Sequence, residues 1–184
     1  MNQNFHTQKN NLNLYNLKPE EFPAVYALMQ ASFPPAEFRS YEAALALFEQ
    51  SAYQVLTAKQ EETGMIQAFI AEWTFEDFHY AEHFAVNPEL RGNGLGSKMM
   101  NAYLKQVNSP VVIEVEAADS PEAIRRIGFY ERLGFCLSDV YFMQPKLQPD
   151  TKDVMLRLMH YPASISADAL LRMKDDIFKT VYQL

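Results

Sequence analysis

Between Tyr80 and Lys105 the chain reads YAEHFAVNPELRGNGLGSKMMNAYLK. An apolar strand-like segment, Tyr80 to Val86, breaks at Asn87-Pro88 and tightens through Arg91-Gly92-Asn93-Gly94-Leu95-Gly96. Apolar residues then recur at helical spacing. A strand, a glycine turn and a helix in that order make an anion site. Glycine lets the backbone take positive φ and approach a ligand closely. The free N–H groups of the turn and of the helix start point partial positive charge at whatever lies there. Spacing narrows the choice of anion. A dinucleotide fingerprint counted from Gly92 and Gly94 needs glycine where the chain has Ser97, and a nucleotide P-loop needs glycine where it has Arg91. What remains is R-x-x-G-x-G, filled by Arg91, Gly94 and Gly96.

One crossover later stands GFYERLGF, Gly128 to Phe135, an aromatic pair with a tyrosine followed by Gly-Phe leading into a strand. Together the two segments resemble motifs A and B of the GNAT acetyltransferase superfamily. The run IEVEAADSPEAIRRIGFYERLGF, with Gln144-Pro145 and a terminal helix, is similar to an uncharacterised bacterial branch of it. The resemblance implies an α/β (α+β) fold: a mixed, mostly antiparallel sheet with a central parallel strand pair, flanked by helices. It also implies acetyl-CoA as cosubstrate. Main-chain amides of Phe84, Ala85 and Val86 would hold the pantetheine arm, and those of Arg91, Gly92, Asn93, Gly94, Leu95, Gly96 and Ser97 the pyrophosphate. Tyr130 would contact the thioester sulfur and act as general acid. The chain departs from the pattern where many members carry Asn-x-x-Ala before the motif B tyrosine; here Ala123 and Arg126 stand in those places.

Acetyl transfer to an amine requires a neutral nucleophile. An alkylamine with pKa near 10.4 is unprotonated about once in 2,500 at pH 7, a deficit of roughly 4.6 kcal/mol. A carboxylate within reach, directly or through water, relieves it. Strand alternation places Tyr80, Glu82, Phe84 and Val86 on one face, which makes Glu82 the expected general base. Glu72, Glu114 and Glu116 are the rivals, and His83 falls on the opposite face in a structural role. His6, His79, His83 and His160 lack ligand spacing, so no metal is expected. The expected reaction is direct transfer from acetyl-CoA to a primary amine of a small-molecule or peptide acceptor. The alternatives are a non-catalytic acyl-CoA-binding sensor and an enzyme using a longer acyl group.

Composition sets the wider frame. The chain has 184 residues, 48% of them hydrophobic, and one domain over 1–184 is expected, with a loose lead-in over 1–11. A formal charge of -7 without clustered Lys and Arg argues against nucleic acid and favours a cationic acceptor. The single cysteine, Cys136, permits no intrachain disulfide and is expected to be buried; it points to a cytoplasmic setting. No run is long and apolar enough to span a bilayer. Dimerisation is common in the superfamily, so a homodimer is compatible, though no stretch marks an interface.

The elements that must position this chemistry are also readable. A first strand falls in Leu12–Leu17. Helices are expected over Phe22–Phe33, Tyr41–Gln50 (capped by Ser40) and behind the glycine turn. A further helix follows Ser120-Pro121, and a terminal one packs on the domain over 166–182. Strands are expected at Tyr53–Ala58, Met65–Trp73, Tyr80–Val86, Val111–Val115, Leu137–Met143 and Val154–His160. Phe33–Arg39, Phe75–Tyr80 and QPKLQPDTK are the expected walls of the acceptor pocket.

Overall fold

The computed structural model describes residues 12–183, so the expected lead-in lies outside the described residues. The strands are β1 (Tyr15–Asn16), β2 (Tyr53–Lys59), β3 (Ile66–Thr74), β4 (His79–Val86), β5 (Val111–Glu116), β6 (Cys136–Met143) and β7 (Met155–Tyr161). The helices are α1 (Phe22–Ser32), α2 (Tyr41–Ala46), α3 (Leu95–Val107), α4 (Pro121–Glu131) and α5 (Ala167–Thr180). All the strands form one sheet in the order β1-β2-β3-β4-β5-β7-β6. Every neighbouring pair is antiparallel except β4 and β5, which the α3 crossover makes parallel. This is the expected fold class. Among the described residues no helix is long and apolar enough to cross a membrane.

Helices cover both faces of the sheet. On one face α1, α2 and α5 bury Phe22, Val25, Met29, Trp73, Tyr80 and Ile177; on the other α3 and α4 bury Met99, Tyr103, Ile127 and Phe135. Double coverage explains why Ala68 to Trp73 is buried without interruption, where a half-exposed strand would alternate. Local signals set the helix ends. Ser40 accepts from Ala43 N at 3.3 Å and Ser120 from Ala123 N at 3.1 Å. Helix α2 is shorter than expected, because its last part tightens into a 3-10 turn over Leu47–Glu49. Cys136 opens the edge strand β6 and is only half-buried, correcting the expectation of a buried thiol.

Two irregularities in β4 prepare the site. Ala71 pairs with His83 but Glu72 pairs with Ala81, so Glu82 is the extra residue of a β-bulge. The bulge resets the alternation. Tyr80 belongs to the α1/α5 side, whereas Phe84 and Val86 pack on the α3/α4 side. The Glu82 side chain reaches Trp73 and Arg39, and that of the next residue, His83, reaches Phe33 and the Glu37 carbonyl, both toward the α1 side. Simple alternation, with Glu82 beside Phe84 and His83 opposite, is therefore corrected by the extra residue. Second, the parallel pairing of β4 with β5 stops at Ala81–Ile113, and beyond it the strands part.

Candidate active site

A cleft of about 640 Å³ opens where β4 and β5 separate. It passes between the two faces of the sheet, and its two ends are built differently.

The end toward α3 and α4 is mostly backbone. Gly92 and Gly94 take φ of 83° and 75°, the left-handed region in which a side chain is strained, and Gly94 is the N-cap of α3. The first amide bonded back into the helix start is that of Lys98, to Gly94 O at 3.1 Å. The amides of Leu95, Gly96 and Ser97 thus have no intrahelical acceptor. A Cβ on Gly96 would lie 3.4 Å from Val86 Cγ2 and 3.6 Å from the Phe129 ring, so this glycine lets the helix start sit against β4. Arg91 acts as a buckle: its Nε donates to Val86 O and its Nη2 to Ser32 Oγ, both at 3.1 Å. Phe84 stacks on Phe129 with centroids 6.0 Å apart, giving an apolar strip beside the turn. This cradle fits a pyrophosphate on an apolar arm. Of the expected cofactor residues, all but Asn93 line the cleft.

Tyr130 stands on α4 at the middle of the cleft, 7% exposed, edge-on to Phe129 and Phe135. Burial pushes its hydroxyl up to about 12, so it is a protonated donor at neutral pH.

The end toward α1 and α5 is built from side chains. Glu82 lines it with 3% of its side chain exposed, and both oxygens are engaged, one by the Arg39 guanidinium and the other by Trp73 Nε1 at 2.8 Å. Burial alone would raise the Glu82 pKa, but Arg39, His83 and these hydrogen bonds outweigh it and hold the carboxyl below its usual range. Glu114, one step beyond the last residue of β5 that pairs with β4, is the opposite case. The Tyr182 hydroxyl donates to its Oε2 at 2.8 Å, while Oε1 is buried without a partner among the described residues. Burial pushes the Glu114 carboxyl up to about 7, against the lowering effect of the Tyr182 and Tyr80 hydroxyls beside it; the Glu82 charge adds to the rise and the Arg39 charge opposes it. Farther out, Arg126 Nη1 pairs with Glu116 Oε2 at 2.9 Å. Burial and the Glu116 charge push neighbouring Glu37 up to about 7, against the pull of Arg126. His83 Nε2 donates to Glu37 O at 2.8 Å, and burial keeps its imidazole below the ordinary value and neutral.

The structure thus brings Glu82, Glu114, Glu116 and Tyr130 into one cleft, and it places Glu72 elsewhere. Glu72 is fully buried, held by Gln54, Tyr103 and His79 in a network between β3 and α3. The Phe75–Tyr80 connection is corrected as an acceptor wall. Phe75 and Phe78 stack at 4.3 Å beside α5, bordering a separate depression, because β4 carries the chain from there to the cleft. The other two expected walls do meet: Gln148 Nε2 donates to Pro35 O at 3.0 Å and to Phe38 O at 2.7 Å. Gln144, the first residue of the expected wall QPKLQPDTK, lines the cleft. Sequence reasoning missed Arg39 and Tyr182 as supports and Arg126 as a lining residue; only the place of Arg39 in an expected wall and of Arg126 beside the motif hinted at them.

Residues 13–135 match the Acetyltransferase (GNAT) family, and the chain belongs to that family. It is 26% identical over 111 residues to "Putative acetyltransferase YjbC" of Bacillus subtilis (strain 168), a match covering 59% of this chain and 57% of that relative's length. Among solved structures, a "Putative acetyltransferase from GNAT family" from Bacteroides thetaiotaomicron superposes with a TM-score of 0.83. It shares 25% identity, covering 94% of this chain and 99% of that one. The yncA structure from Salmonella typhimurium, described with its cofactor acetyl-CoA, has a TM-score of 0.59 at 16% identity, over 85% and 96% of the two chains.

Proposed function

We propose that this protein is an acetyl-CoA-dependent N-acetyltransferase that acylates a primary amine by direct transfer. The observation that carries the reading is the pairing, in one cleft, of a backbone anion cradle with a buried, uncharged-leaning carboxyl, Glu114, whose Oε1 accepts no hydrogen bond among the described residues. Amides of Leu95, Gly96 and Ser97 hold the pyrophosphate, and the part of β4 beyond Ala81, freed from β5, offers its backbone to the pantetheine arm. Acetyl-CoA supplies an acetyl group activated as a thioester. Tyr130 donates to the departing sulfur, where a neutral phenol stabilises developing negative charge. The base falls to Glu114 rather than Glu82: both Glu82 oxygens are occupied and its charge is held by Arg39. Glu82 and Arg39 then serve as the fixed floor of the site. In balance, the amine nitrogen forms the amide bond as the carbon–sulfur bond breaks; its proton passes to Glu114 and the sulfur takes that of Tyr130.

The test is thiol release from acetyl-CoA across a panel of amines. Glu114→Gln is expected to lower kcat by about 10²- to 10⁴-fold and to abolish the rise in activity as pH passes about 7, where Glu114 becomes ionised. Tyr130→Phe is expected to lose turnover with acetyl-CoA affinity retained. If Glu82→Gln reproduces the rate and pH changes and Glu114→Gln does not, the base is Glu82. Binding of acetyl-CoA without thiol release over the whole panel would favour the sensor.

A further inference from the structure

Resting on the N-acetyltransferase reading, the geometry points to a narrower acceptor: we infer that the cleft takes a dication, an aliphatic diamine whose second ammonium sits at Glu37 and Gln144. The guanidiniums of the acceptor end are committed, Arg39 to Glu82 and Arg126 to Glu116. That leaves Glu37 and Glu114 as the carboxyls of this end in no ion pair among the described residues, each feeling a guanidinium, Arg126 or Arg39, only as a neighbour of the pair it belongs to. The same cleft carries an independent feature. Gln144 is 7% exposed and lines the cleft, and its Oε1 is buried with no hydrogen-bond partner among the described residues. A buried acceptor oxygen left unpaired is costly unless a ligand donor meets it, and an ammonium brings three N–H groups.

Two cation positions follow. One amino group lies at the free oxygen of Glu114 and is acetylated. The other stays protonated, facing Glu37 and Gln144. Glu114 and Glu116 are successive same-face residues of β5, about 7 Å apart by strand rise, and Glu37 lies beside Glu116. A chain of about four or five methylene groups, an extended zigzag of bonds of about 1.5 Å, separates two nitrogens by roughly 6 to 7.5 Å. A monoamine of the same length would leave Glu37 and the Gln144 oxygen unmet.

The experiment compares diaminopentane with n-pentylamine at physiological ionic strength, where long-range attraction to the acidic surface is screened. Acetyl-CoA thiol release should show a kcat/KM at least about tenfold higher for the diamine. Glu37→Gln and, separately, Gln144→Leu should each bring the ratio down toward one. Equal use of both amines by the parent, or a preference untouched in both variants, overturns the inference while leaving acetyl transfer intact. Should neither amine release thiol, calorimetric titration with coenzyme A present decides. Diamine binding about tenfold tighter than monoamine binding, and lost in a variant that folds by circular dichroism, supports the dication site while the transferase reading fails. Equal or absent binding overturns it.

Discussion

The two ends of the cleft present charge inside the protein with different material. The α3 end uses amides and two left-handed glycines, contributed by one continuous segment from β4 to α3. The α1 end uses Glu37, Arg39, Glu82, Glu114 and Tyr182, brought from a loop, two strands and the C-terminal helix end. A backbone site carries its partial charges permanently, so it has no titration and little dependence on side-chain identity. A side-chain site buries ionisable groups, each of which needs a partner or shifts its pKa. Glu82 and Glu114 show both results side by side. One is paired and stays charged; the other has no cation bonded to it and is poised near neutrality.

That contrast can be broken most severely at Arg39. Arg39→Leu strands the Glu82 carboxylate in the interior and removes the bond to Val181 O, at an expected cost of about 3–5 kcal/mol in urea unfolding. Adding Glu82→Gln should restore part of it. A loss below about 1 kcal/mol would show that the α1 end is wetter than its burial indicates.

Next in size is pH. A carboxyl raised from 4.5 to about 7 by folding favours the native state below the lower value and withdraws that support as pH climbs to the upper one. Glu114 alone should therefore reduce stability by up to on the order of 3 kcal/mol across this window, with Glu37 adding a smaller decrease because it is partly exposed. Glu82, shifted the other way, loses its contribution as pH falls through its lowered pKa. Glu114→Gln should flatten the neutral-side decline; an unchanged curve would mean that Glu114 is already solvated or paired.

The smallest effect belongs to the backbone end. Gly94→Ala forces a side chain into the left-handed region, costing about 1 kcal/mol, and should weaken acetyl-CoA binding while leaving amine selectivity unaltered. If amine selectivity moved as well, the two ends would be mechanically coupled and the division between them too sharp.

What could be read in advance follows the same division. The geometry of Arg91 to Ser97 was legible because a strand, a glycine turn and a helix start are local, and glycine spacing reports their backbone conformation. Tyr130 was legible through the local GFYERLGF pattern. Glu82 was found as a residue of the cleft, but its surroundings were not, since a bulge has no fixed sequence signature and period-2 alternation conceals it. Arg39 and Tyr182 were invisible as partners: nothing local relates Arg39 to Glu82, or Tyr182 to Glu114 across a separation of 68 residues.

By itself, then, the amino-acid sequence determined the order of strands and helices, the parallel crossover and the glycine turn that opens α3, because each depends on short-range periodicity, capping or glycine conformation. The tertiary structure alone decided which carboxyl is neutralised by a guanidinium, which keeps a free oxygen, and that the two lie together where β4 and β5 part. Those outcomes depend on burial and on distances between segments far apart in the chain. These are the quantities that set a pKa, and they exist only once the sheet has formed.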